Sequence, residues 1–112
     1  HTFGHAYEAA SGYRATHGEA VSIGMVFATA LAEDLDLVPG AFRERLEQVL
    51  LAAGLPVRAR IPSGAARFLA QEKKVRAGKG RWILPGAIGR FSEVTDVGRS
   101  SLAFAARVVE GR

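Results

Sequence analysis

Three histidines, His1, His5 and His17, stand within the first seventeen residues of this 112-residue chain, and there is no other histidine. Neutral imidazole is the commonest protein metal ligand and ordinarily changes charge near neutral pH. His1 and His5 are four apart, so on a helix they share one face, with Glu8 near it three residues further on. No glutamate directly follows His1, so the HExxH metalloprotease pattern fails. Spacing alone leaves two readings, a metal site or isolated structural histidines. The chain starts inside the cluster, which leads us to expect a metal site belonging to a larger protein.

The elements that must carry these residues are legible. Residues 1–10 contain no proline, have helical character and end at Ser11-Gly12. Thr16-His17-Gly18-Glu19 reads as a capping box, with the Thr16 hydroxyl accepting from the Glu19 amide and Glu19 reaching back to the Thr16 amide. That places His17 in the first turn of a second helix running to about Leu37. The helix is apolar around most of its circumference, through Val21, Ile23, Met25, Val26, Phe27 and Leu31, and should be buried on several sides. A third helix spans roughly Ala41 to Ala53, with Phe42, Leu46, Val49, Leu50 and Ala53 as its inner stripe and Gly54 just past its end. A short helix is expected over about Gly64 to Lys73. Two short strands follow, Arg81–Leu84 and Arg90–Thr95, around Pro85-Gly86-Ala87-Ile88-Gly89. A last helix near Arg99–Val109 buries Leu102, Phe104 or Ala105, Ala106 and Val109. The fold class is mainly α with one small β-hairpin.

Composition narrows the chemistry. With 48% hydrophobic residues the chain can build one core. It has no cysteine, so disulfides, thiolate metal sites and cysteine nucleophiles are excluded, and a reducing cytoplasm fits. The longest charge-free apolar run, Ala20–Ala32, falls short of the roughly 20 residues of a membrane span. The net charge of +4 comes from one segment, where Arg67, Lys73, Lys74, Arg76, Lys79 and Arg81 face only Glu72. Such a patch suits an anionic partner (phosphate, carboxylate or nucleic acid) or is simply a solvated basic loop.

His1-Thr2-Phe3-Gly4-His5-Ala6, Glu8-Ala9, Gly12-Tyr13 and His17-Gly18-Glu19-Ala20-Val21 together closely resemble the 3-dehydroquinate synthase family. Ala53-Gly54-Leu55-Pro56, Lys73-Lys74-Val75-Arg76-Ala77-Gly78, Ile83-Leu84-Pro85 and Ile88-Gly89 continue the likeness along the chain. Glu72 and Thr16 depart mildly from the family pattern, at positions usually held by an aspartate and a bulky apolar residue.

The resemblance implies the helical C-terminal domain of that enzyme over residues 1–112, with the N-terminal NAD-binding domain absent and no GxGxxG motif in the chain. It implies conversion of a seven-carbon keto-sugar-acid phosphate, DAHP (3-deoxy-D-arabino-heptulosonate 7-phosphate), to 3-dehydroquinate with release of phosphate in the shikimate pathway. It also implies transient use of NAD and a divalent metal, zinc or cobalt. Carried over by position, His1 and His17 match the two histidine metal ligands. His5 matches an active-site histidine that contacts substrate or takes part in proton transfer. One of Lys73 and Lys74, with Lys74 favoured, matches a substrate-anion contact. The third metal ligand, a glutamate, and most NAD contacts belong to the other domain. The fragment alone is therefore expected to be inactive, and the whole enzyme to be a cytoplasmic homodimer.

Two competing functions stand beside this one. Another sugar-phosphate cyclase would share the metal histidines and the hairpin. A non-catalytic anion- or nucleic-acid-binding module could be built around the basic run, against which the run has little aromatic interleaving beyond Trp82.

Overall fold

The computed structural model describes residues 1–62 and 81–111. Helix α1 covers Thr2–Ala10, α2 covers His17–Asp34 and α3 covers Gly40–Ala52. Strands β1 (Arg81–Ala87) and β2 (Arg90–Thr95) form an antiparallel hairpin, and α4 covers Arg99–Glu110. The mainly α class with one hairpin is what the sequence indicated. The expected helix over Gly64–Lys73 lies outside the described residues.

Helix α2 is the axle of the domain. Ile23, Val26, Phe27, Ala30 and Leu31 are all essentially inaccessible to solvent. α1, α3, α4 and β1 all pack against it, and its apolar residues run around most of its circumference. Val21 is only half-buried and Met25 is exposed. α2 ends at Asp34, short of the expected Leu37, where Asp36 takes a left-handed φ of 59° and turns the chain.

α1 lies directly against α2 through small residues. A Cβ on Gly24 would stand 3.0 Å from the Gly4 backbone nitrogen, and one on Gly4 would stand 3.0 Å from the Ala20 carbonyl oxygen. Beside this seam the Phe3 and Phe27 rings lie parallel with centroids 3.9 Å apart, and Trp82 of β1 covers Phe27 at 5.8 Å. Alternation along β1 sends Trp82 and Leu84 into the core and Arg81 and Ile83 outward.

β1 continues past the expected Leu84 to Ala87, and the register slips between Pro85 and Ala87. Proline fits at this bulge on a two-stranded ribbon, which has only edge strands. The reversal is then a tight one at Ile88-Gly89, with Gly89 at a φ of 81°.

The inner stripe of α3 needs correction. Leu50 is buried, and Phe42 and Leu46 pack against the core, but Val49 is 60% exposed and Ala53 faces solvent. The buried face is instead turned towards Arg43 and Glu47, on the other side of Leu50. Arg43 pairs with Glu33 of α2 and with Glu47, and Arg58 pairs with Glu47 in turn. Long charged side chains can cover apolar surface while keeping their heads paired or wet. α4 buries Ala105 and Val109, while Leu102, Phe104 and Ala106 pack partly against the core. Ser101 donates to Asp34 at 2.6 Å, and Ser22 of α2 donates to the Pro56 carbonyl at 2.6 Å, tying α4 and the chain after α3 to the axle.

Candidate metal centre

The histidines reach one place from two helices. His1 is the N-cap of α1 and His5 lies one turn later. The His5 amide donates to the His1 carbonyl at 2.7 Å, so the two residues belong to one hydrogen-bonded turn. His17 opens α2, whose start is fixed by Thr16: the Thr16 hydroxyl accepts from the Glu19 amide at 3.2 Å. The expected capping box is only half formed. The Glu19 carboxylate accepts from the Thr16 hydroxyl at 2.9 Å, not from the Thr16 amide.

Because α1 and α2 touch at the Gly4–Gly24 seam, their starts are brought side by side. The ring centroids stand 5.1 Å apart for His1 and His5, 6.0 Å for His1 and His17, and 6.1 Å for His5 and His17. All three residues are exposed, so the imidazoles line an open surface. Glu8, one turn after His5 and half-buried, places its Oε1 3.4 Å from Nδ1 of His17. That link across the two helices was not foreseen. Its only signal in the sequence was that Glu8 shares a helix face with His5.

A catalytic zinc takes three protein ligands and keeps an open position, with nitrogen ligands at about 2.0–2.1 Å. Two imidazoles on one tetrahedral ion hold their ring centroids about 5 Å apart, which is the separation of His1 and His5 and about 1 Å less than that of either from His17. The donor set therefore fits two histidine ligands. Among the described residues, no three His, Cys, Asp or Glu side chains are gathered so as to hold a metal ion by themselves. A centre built on this face needs a further ligand from outside it.

Lys73 and Lys74 lie outside the described residues, so their relation to the histidines is not defined. The end of the basic run is visible. Arg81 pairs with Glu93 across the hairpin at 2.7 Å, and that hydrogen bond, followed by the charge of Glu93, raises the guanidinium above its ordinary value. Trp82 is buried against Phe27 and offers no open ring for a base to stack on.

Residues 1–75 match the family described as 3-dehydroquinate synthase C-terminal. The chain belongs to that family. It is 44% identical over 110 residues to the 3-dehydroquinate synthase of Nitrobacter winogradskyi, covering 87% of this chain and 29% of that protein. It is 45% identical over 100 residues to the enzyme of the same name from Colwellia psychrerythraea, covering 86% of this chain and 28% of that protein. The Synechococcus sp. 3-dehydroquinate synthase is 46% identical over 102 residues, covering 86% and 27%. The chain thus spans less than a third of the length of these relatives. The matched residues include α1, α2 and α3 and form part of a 3-dehydroquinate synthase C-terminal domain. No helix among the described residues is long and apolar enough to cross a membrane.

Proposed function

We propose that this domain supplies the metal- and substrate-binding half of a 3-dehydroquinate synthase, which converts DAHP to 3-dehydroquinate and phosphate in the shikimate pathway. The observation that carries this reading is the meeting of three exposed imidazoles from two helices, with centroids 5.1–6.1 Å apart, in a chain of this family. His1 and His17 hold a divalent ion, zinc or cobalt, together with one ligand from an N-terminal domain that also binds NAD. When bound, such an ion polarises substrate oxygens and eases loss of a hydroxyl proton. His5, beside both ligands and open to solvent, contacts the substrate and exchanges a proton with it. Lys74, or its neighbour Lys73, supplies a compact positive charge for the substrate phosphate or carboxylate. Phosphate would leave by elimination, and NAD, when bound by the N-terminal domain, would supply reversible hydride transfer to and from the substrate. The enzyme works as a cytoplasmic homodimer, with neither nucleic acid nor membrane as a partner.

The test measures phosphate release from DAHP with NAD and zinc, first with this chain alone and then with an N-terminal NAD-binding domain added in trans. Silence alone and turnover in trans are expected, with His1→Ala and His17→Ala each abolishing the restored activity. Turnover by the chain alone would refute the divided site. Activity in trans that survives both substitutions would refute the metal assignment.

A further inference from the structure

Glu8 sits where it can decide which nitrogen of His17 carries the proton. Its side chain is 18% exposed against 61% for the imidazole, so packing holds the carboxylate while the ring is the freer partner. Its main chain is held as well. The Glu8 carbonyl accepts from the Ser11 hydroxyl at 2.8 Å and from the Tyr13 amide at 3.0 Å. Those bonds close the turn that leads through the left-handed Gly12 and Tyr13 towards α2. The carboxylate contacts Nδ1 of His17 and lies near the positive end of α2, where a negative charge is favoured.

An ionised carboxylate can only accept a hydrogen bond. The nitrogen facing Glu8 must then be the N–H, and the lone pair falls to Nε2 across the ring. In metal sites the second nitrogen of a ligating histidine is almost always held by a carboxylate, a carbonyl or water, which fixes both tautomer and ring direction. We propose that Glu8 is a positioning residue: it holds His17 as the Nδ1–H tautomer and thereby presents Nε2 for coordination. This rests on the reading of His17 as a metal ligand, but its first consequence, the tautomer, is independent of any metal.

The experiment reads the imidazole nitrogens of the ¹⁵N-labelled chain by long-range ¹H–¹⁵N NMR at about pH 8.5, above the ordinary imidazole range. In the parent, His17 should be mainly the Nδ1–H form. In Glu8→Ala it should pass to the Nε2–H form that an unheld imidazole prefers, with the core signals of Phe3 and Phe27 unchanged. Glu8→Gln has nearly the same shape and tests the charge without opening a gap. Its amide can accept or donate, so it should give a mixture of tautomers. A parent already in the Nε2–H form, or a tautomer balance indifferent to both substitutions, overturns the proposal.

Zinc titration of the same proteins then tests what the positioning serves. Glu8→Ala should bind zinc about 10–100-fold more weakly than the parent, and His17→Ala should lose at least as much. Equal affinity in Glu8→Ala, where His17→Ala does weaken binding, overturns the positioning role towards the ion. Equal affinity in His17→Ala removes the metal reading instead, while the NMR result still decides which tautomer Glu8 imposes.

Discussion

Gly24→Ala measures how firmly the position of His1 depends on the contact between α1 and α2. The added Cβ would stand 3.0 Å from the Gly4 nitrogen and 3.2 Å from the Gly4 Cα. Both are main-chain atoms, so no side-chain rotation relieves the contact. Non-bonded atoms rest at about 3.5–4.0 Å, so the helices must part by about 0.5 Å at this crossing. Two energies compete. Alanine gains about 1 kcal/mol in helix propensity, and overpacking costs about 1–3 kcal/mol. The net loss of stability is thus about 0–2 kcal/mol, small enough for the domain to stay folded.

The site is less forgiving. Gly4 lies between His1 and His5 on α1, so a displaced seam passes into the 6.0 and 6.1 Å separations from His17. Metal–ligand distances tolerate only about 0.2 Å. Zinc affinity should therefore fall about 10-fold or more, comparable with the loss of an outer-shell partner. Denaturant unfolding and zinc titration on one preparation give both quantities. Gly18→Ala is the control, because a Cβ there meets nothing within 4 Å, and it should cost no stability. If Gly24→Ala gained the full helix propensity and bound zinc unchanged, the close crossing would be refuted.

Leu84→Ala should cost about 2–5 kcal/mol in denaturant unfolding, because Leu84 is completely buried between the hairpin and α2. Thr16→Ala should cost about 1 kcal/mol by freeing the Glu19 amide, and His17 exposure to chemical modification should rise as the first turn of α2 frays. Arg43→Met should cost about 1.5–3 kcal/mol, because it strands the half-buried Glu33, while Glu47 keeps its pairing with Arg58. The Arg43 guanidinium is raised above its ordinary value by its hydrogen bond to Glu33, although burial opposes the shift. A raised pKa gives stability that is fully present below the unfolded value and lost only above it. The Arg43→Met penalty should therefore be equal at about pH 7 and pH 10, both below the range in which arginine gives up its proton. A penalty that shrinks by pH 10 would show that another group governs the pair.

Much of the frame was legible because it is written in local chemistry. Thr16 marks the start of α2, Ser11-Gly12 the end of α1, and Gly54, at a φ of 78°, the end of α3. The near-continuous apolar surface of α2 announced a helix packed on several sides. Failures came where a neighbour chose between local options. Val49 and Arg43 both fit an amphipathic helix, and only the carboxylate of Glu33, on another helix, draws Arg43 inward and leaves Val49 outside. Pro85 looked like the start of the turn, yet a bulge lets the ladder run past it.

The candidate site divides along the same line. Sequence by itself singled out the candidate residues and determined that His1 and His5 share one helical turn, since a four-residue spacing fixes that through the backbone alone. It could not determine that His17 meets them. That depends on Gly4, Ala20 and Gly24 lacking the atoms that would hold α1 and α2 apart, a property of two surfaces in contact. The partner of Glu8 was hidden for the same reason. Its carboxylate and the His17 imidazole are nine residues apart along the chain, and only the crossing of the two helices brings them to 3.4 Å.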